Sequence, residues 1–270
     1  MASFKNGRFC DEQNKIYLKI TPFMITSKKE QRELAHNKVI LENSEKVWGR
    51  SGLAGERRLK RRADMIIDWC NINSSKRVLE IGCGTGTLTE ILADTSAEVV
   101  ATDIFPEFLD VVRKKINNAP NVSLQLADAQ MLAGLPKQSF DVVCGLSILH
   151  HLDIKFTLKN ILRVLKPGGC IAFSEPNMLN PQIAIQKNIP FIKKMLGDSP
   201  DETAFFKWQM KSLLKKSGFT EISVEPFDFL HPMMPDFSAK FVDALGKVLE
   251  GVPLVRDIAG SLFIYAKKHD

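Results

Sequence analysis

The 270-residue chain is 44% hydrophobic and 25% charged with a net charge of +6, the composition of one soluble domain with a sizeable core, which excludes a fibrous or disordered polypeptide. Its five cysteines (Cys10, Cys70, Cys83, Cys144, Cys170) are odd in number, scattered and without a C-x-x-C pair, which argues against a disulfide framework or a zinc site and fits a reducing cytoplasm. No apolar run approaches the length of a membrane span and the N-terminus is polar, so neither export nor anchoring is expected.

The positive charge is concentrated at the start. Residues 1–62 hold 15 Lys and Arg against 7 Asp and Glu, a local excess of +8, and the remainder is slightly acidic. Ser27 followed by Glu30 has capping-box spacing, which predicts a helix from about Lys28 to Val47. Gly49, Gly52 and Gly55 then punctuate the chain. A second helix is expected from about Glu56 to Cys70, with Leu59, Ala63, Ile66, Ile67 and Cys70 as its apolar stripe. The two helices form a cap on the α/β region from Lys76 onward, and residues 1–55 are taken as that N-terminal extension. The cluster "ERRLKRR" (Glu56 to Arg62) is read as a solvated helix face; an anionic acceptor, a membrane surface or nucleic acid is the alternative partner.

From Lys76 the pattern changes to β-branched runs alternating with helical stretches. "RVLEIG", "EVVATD", "VSLQLAD", "FDVVCGLSI" and "GGCIAFSEP" read as strands separated by crossover helices, hence a parallel α/β sheet. In such sheets ligands bind beyond the carboxyl ends of the strands. Those ends carry Glu80 to Gly86, Asp103, Asp128, Gly145 to His151, and Glu175 to Asn177. Gly82, Gly84 and Gly86 come directly after the first run, where the chain must turn sharply and leave bare backbone against a nucleotide-type ligand. The spacing is G-x-G-x-G, so it matches neither the dinucleotide fingerprint G-x-G-x-x-G nor a P-loop.

The order "VLEIGCGTG", "VVATD", "LADA", "FDVVCGLSILHHL" and "LKPGG" resembles the class I S-adenosylmethionine-dependent methyltransferases. The match is specific from Lys76 to Asn177 and weaker through "LLKKSGF" and "SLFIYAKK". The resemblance implies a Rossmann-like, seven-stranded, mostly parallel sheet with helices on both faces and the last strand, Ser261 to Lys267, inserted antiparallel. It also implies S-adenosyl-L-methionine as cofactor. Glu80, Ile81, Gly82, Cys83, Gly84, Thr85 and Gly86 then face its methionine part; Asp103 and Ile104 take the ribose, Asp128 and Ala129 the adenine, and Gly145 and Leu146 complete the cofactor side.

A sulfonium already activates the methyl group, so the protein has mainly to align a nucleophile and exclude water. A hydroxyl or ammonium acceptor also benefits from a base. His150 and His151 suit that task, with a lean to His151; the alternative is that the pair packs the loop. Glu175 and Asn177 are the candidate acceptor contacts, the alternative for Asn177 being a cap for the segment that follows. No His and carboxylate cluster has metal-ligand spacing in the sequence, so no metal is expected.

Within a methyltransferase domain of residues 56–270, two stretches are rich in large apolar residues: 177–206 and 229–255. They are expected to form an apolar lid over the acceptor, or else to pack on the sheet as ordinary amphipathic helices. The expected reaction is methyl transfer to an oxygen or nitrogen of a small-molecule, lipid-like or glycan-linked acceptor. A nucleic-acid methyltransferase using the basic segment is the alternative, against which strand four ends in "GLSILHHL" rather than N/D-P-P-[YF]; a non-catalytic cofactor-binding module is the third reading. Nucleic acid is not the expected partner.

Overall fold

A computed structural model describes residues 3–5, 8–10, 52–117, 119–196, 198 and 202–270. The helix expected at Lys28 to Val47 lies outside them. Strands β1 (Ser3–Lys5) and β2 (Arg8–Cys10) pair antiparallel with each other.

The remaining strands form one seven-stranded sheet. β3 (Arg77–Ile81), β4 (Glu98–Asp103), β5 (Val122–Leu126), β6 (Phe140–Leu146) and β7 (Leu165–Pro176) run parallel. β8 (Phe219–Phe227) and β9 (Ser261–Lys268) complete the order β5-β4-β3-β6-β7-β9-β8. β9 is antiparallel to both neighbours, as the resemblance implies. The strand order reverses between β3 and β6, so the crevice at their carboxyl ends is where such a sheet binds ligands.

The two-residue period of the strands divides the core between two faces. Leu79, Val143, Ile171 and Phe173 point to one side, against α4 (Ile154–Val164) and α7 (Lys207–Ser217). Val78, Val142, Cys144 and Ala172 point to the other, against α1 (Gly52–Cys70) and α2 (Thr87–Ala93). α3 (Pro106–Lys115) covers the β4 side through Leu109 and Val112. Each large apolar side chain fully buried here contributes on the order of 1.5–3 kcal/mol.

α1 buries Ala63, Ile66 and Cys70, as its stripe predicts, with Leu59 and Ile67 packed beside them. It starts earlier than expected. Gly52, at φ +71, opens it, and Gly55 is a buried residue inside the helix rather than a break. The basic cluster is also not a solvated face. Arg57 pairs with Asp243, Arg58 and Arg62 with Asp228, and Arg61 with Glu250, so four of its cations are neutralised by the segment around α8 (Asp236–Leu249). Only Lys60 of the cluster is bonded locally, to Asp64.

Candidate active site

A cavity of about 940 Å³ opens at the carboxyl edge of the sheet, over β3, β4, β6 and β7. One wall is built from strand ends. After β3 the chain turns through Gly82, Gly84 and Gly86 at φ +65, +52 and +80, a region that only glycine adopts freely. A Cβ on Gly82 would meet the Ile148 side chain at 2.5 Å, and one on Gly86 would meet Val112 at 2.8 Å. The loop therefore needs glycine for packing beneath as well as for conformation.

Asp103, at the end of β4, is the pin of this loop. Its Oδ2 accepts from the Gly84 amide at 2.8 Å and its Oδ1 from the Phe105 amide at 2.9 Å. Burial pushes the Asp103 carboxyl up, against the backbone N–H bonds from Phe105, Gly84 and Ile104 that favour its charge. Asp128 is buried as well and accepts from the Gln130 amide at 2.7 Å. Gly82, Gly84, Asp103, Ile104, Asp128, Ala129 and Leu146 all line the cavity.

Six of the expected cofactor contacts do not line it. Glu80 is buried beneath, accepting from the Thr89 hydroxyl at 2.6 Å. Ile81 belongs to the core and Cys83 packs on Ala101 and α3. Thr85 is buried in the turn, and Gly86 caps α2. Gly145 sits under Ile148, where a Cβ would lie 2.8 Å from the Ile81 carbonyl oxygen. These residues shape the loop and its floor, and the cavity-facing contacts come from their neighbours.

The opposite wall starts where β6 ends. Ser147 adopts φ 54 and donates its amide to the Ser174 carbonyl at 2.8 Å. A short 3-10 turn, Leu149–His151, comes next. Glu175, near the end of β7, fixes that turn. Its Oε1 accepts from the Ile148 and Leu149 amides at 2.9 Å each, and its Oε2 lies 2.7 Å from His150 Nδ1. Burial and the neighbouring His151 lower the His150 pKa, with Glu175 opposing. Near neutrality the ring is thus an uncharged imidazole whose Nδ1–H is directed at a carboxylate, leaving Nε2 as the acceptor. The His151 ring stacks obliquely on it, with centroids 4.2 Å apart.

Glu175, a candidate acceptor contact, lines the cavity while it holds His150. Asn177, the other candidate, does not line the cavity. It is fully buried, donates to the carbonyls of Asp257 and Ala259 at 2.8 and 2.7 Å, and accepts from the Leu179 amide. The reason is register: β7 ends at Pro176, and the side chain beyond it turns toward the start of β9.

Glu202, Asp228, Gln182 and His231 escape the sequence reading. Glu202 lies 3.9 Å from His150 Nε2 and pairs with Lys187 at 2.6 Å. Burial opposes its ionisation, but His151, Lys187 and His150 outweigh that and bring its pKa down to about 2. His150, His151 and Glu202 offer ligand atoms within 4.8 Å of one another, so the fold builds a His and carboxylate cluster that sequence spacing did not reveal. The Lys187 ammonium supplies a cation to Glu202 within this cluster. Arg58, Arg62 and Asp228 line the far wall, and Gln182 meets His231 across the cavity. Asp228 comes directly after β8, and only that position at a strand end could have flagged it.

The described residues contain no helix long and apolar enough to cross a membrane. A family model for a methyltransferase domain matches residues 79–173. An uncharacterised methyltransferase-like protein of Schizosaccharomyces pombe is 32% identical over 185 residues, spanning 65% of this chain and 69% of that one. The ubiquinone biosynthesis O-methyltransferase of Idiomarina loihiensis is 38% identical over 104 residues, 38% of this chain and 43% of its own. The fold is shared with the phosphoethanolamine N-methyltransferase 2 of Haemonchus contortus, solved with S-adenosyl-L-methionine, at TM-score 0.55 and 19% identity over 78% of this chain and 53% of that one. The turn of positive-φ glycines and the buried acceptor carboxylate of Asp103 fit that cofactor. The chain belongs to the class I methyltransferases and uses S-adenosyl-L-methionine.

Proposed function

We propose that this enzyme methylates an oxygen or nitrogen nucleophile of a small-molecule or lipid-like acceptor, with His150 receiving the acceptor's proton and Glu175 holding the imidazole for that task. The observation that carries this reading is the 2.7 Å contact between His150 Nδ1 and Glu175 Oε2 in the cavity that also holds Asp103. It shifts the base from His151, the residue favoured by sequence, to its neighbour.

When bound, the cofactor supplies a methyl group on a sulfonium, which needs alignment and a dry site more than further activation. The Gly82 to Gly84 backbone and Asp103 would hold its methionine and ribose parts, and Asp128 with Ala129 would hold the adenine edge. Across the cavity, Nε2 of His150 accepts the proton as the nucleophile attacks. Glu175, anchored by two backbone amides, stabilises the resulting imidazolium.

The internal pairing of Arg57, Arg58, Arg61 and Arg62 neutralises four of the cations on which a nucleic-acid reading depended. The Idiomarina relative, named for O-methylation in ubiquinone biosynthesis, supports an oxygen acceptor on a lipid-like molecule. Incubation of the purified enzyme with methyl-labelled S-adenosylmethionine and a cell extract tests the reading. Label is expected in small molecules or lipids, lost in His150→Ala with cofactor affinity retained. Label confined to nucleic acid, or undiminished in the folded variant, would overturn it.

A further inference from the structure

α8 is built inside out. The face it turns to the protein carries Ala239, Asp243 and Gly246, all buried. Gly246 admits the backbone of Phe229, and Asp243 receives Arg57. Phe237, Phe241, Leu245 and Val248 recur at spacings of four, four and three residues, which places them on one stripe of the helix. That stripe faces outward, with Phe237 90% and Phe241 72% exposed. Met233 before the helix and Leu254 after it are also exposed.

The segment between β7 and α7 repeats the arrangement. In α5 (Pro181–Asn188), Gln182 and Gln186 lie one turn apart and line the cavity, whereas Ile185 is exposed. α6 (Pro190–Met195) has no buried residue and exposes Phe191 and Met195. The first segment gives the cavity Gln182, Gln186, Lys187 and Glu202 beside Ile183, and the second gives it His231 beside Leu230 and Met233, while both turn further apolar side chains outward. The two exposed sets meet at the cavity mouth, which Met195, Leu196 and Met233 line.

Charge indicates what the outward stripe meets. The acids in and around α8 are drawn inward: Asp236 accepts from the Leu53 amide, Asp243 pairs with Arg57, and Glu250 pairs with Arg61. Lys240 and Lys247 are exposed on one flank of the stripe, Lys247 sharing Asp243 with Arg57 at 3.3 Å and Lys240 facing solvent. An apolar stripe bordered by lysines is the pattern of a helix lying in a lipid interface, where the rings enter the acyl boundary and the ammonium groups remain among anionic headgroups.

We propose that the outer faces of α8 and α6 dock the enzyme on an anionic lipid surface, so that a lipid-like acceptor enters the cavity mouth polar end first. This deepens the proposed function and rests on its lipid-like acceptor. The polar end meets Gln182, Gln186 and the histidines, and the apolar remainder stays in the bilayer.

Flotation of the full chain with vesicles tests the docking. Binding is expected to vesicles of phosphatidylglycerol with phosphatidylcholine, to weaken with salt, and to be small on phosphatidylcholine alone. The double variant Phe237→Asp, Phe241→Asp should lower the bound fraction at least about tenfold. Both side chains lie outside the cavity, so calorimetric affinity for S-adenosylmethionine should stay unchanged, which also shows that the variant is folded. Three results would overturn docking: wild-type protein that ignores anionic vesicles, a double variant that floats undiminished, or light scattering that shows a dimer which the double variant dissolves and which does not float. The methyltransferase reading would survive each of these, because cofactor binding and transfer to extract are measured separately.

Discussion

Glu175 holds His150 from one side while the amides of Ile148 and Leu149 hold Glu175 from the other, so the carboxylate is fixed before it fixes the ring. His150→Ala should lower turnover by roughly 10²–10⁴ with little change in cofactor affinity. Burial lowers the His150 pKa, so wild-type turnover should rise with pH through a step below 6.5 and be level across neutrality. Glu175 opposes that lowering. Glu175→Gln should therefore move the step to still lower pH, and a movement to higher pH would contradict the dyad.

Asp103 has two duties. Asp103→Ala should weaken S-adenosylmethionine binding by about 1–3 kcal/mol through loss of charge-assisted bonds to the ribose. It also frees the Gly84 and Phe105 amides, so the melting temperature should fall in the absence of cofactor. Calorimetry and thermal melts together separate the two effects. Unchanged affinity in a folded variant would remove Asp103 from the ribose site.

The glycine turn offers a graded test. Gly84→Val places a branched side chain at φ +52 beside the cavity and should abolish cofactor binding. Gly86→Ala adds a Cβ 2.8 Å from Val112 at φ +80, and its main effect should be on stability, by about 1–3 kcal/mol. Urea titration with circular dichroism distinguishes them; the reverse ranking would mean that the ligand-facing position has been misassigned.

Asp228 joins α1 to the end of β8. It is 3% exposed and serves Arg58 at 2.9 Å and Arg62 at 3.0 Å. Burial raises the cost of its charge, but Arg58, Arg62 and Arg61 outweigh this and hold its pKa below the ordinary 3.8. A lowered folded pKa gives stability that is full above the unfolded value and lost as pH falls through the folded one. Asp228→Asn should cost about 3–5 kcal/mol near neutrality, because two cations lose their partner. The deficit should shrink below about pH 4. A pH-independent deficit would assign the loss to packing alone.

The strands were legible because a parallel sheet needs β-branched runs of fixed length, and Asp103 and Asp128 stood out because one ends β4 and the other comes two residues after β5. The arginine cluster was misread because its partners lie far off in sequence, Asp243 being 186 residues from Arg57 and Asp228 166 from Arg62. Local patterning cannot report such pairs. Glu202 sits in a loop without periodicity, so nothing marked its approach to the histidines. Composition showed that the two long segments are apolar, but the side on which Gln182 and Phe237 emerge is fixed only by the neighbours each helix packs against.

Asn177, buried and outside the cavity lining, governs something else. Its amide grips the carbonyls of Asp257 and Ala259, and its backbone N–H donates to Gly260, whose own N–H donates to Asp228. Three strand ends, and hence roots of both segments that frame the cavity mouth, are sewn to one another by bonds that involve none of the glycine turn. That wall of the cavity is therefore anchored as a replaceable cassette: a graft that preserves Asn177, Asp228 and Gly260 should carry new side chains onto the sheet while leaving the glycine turn as it stands.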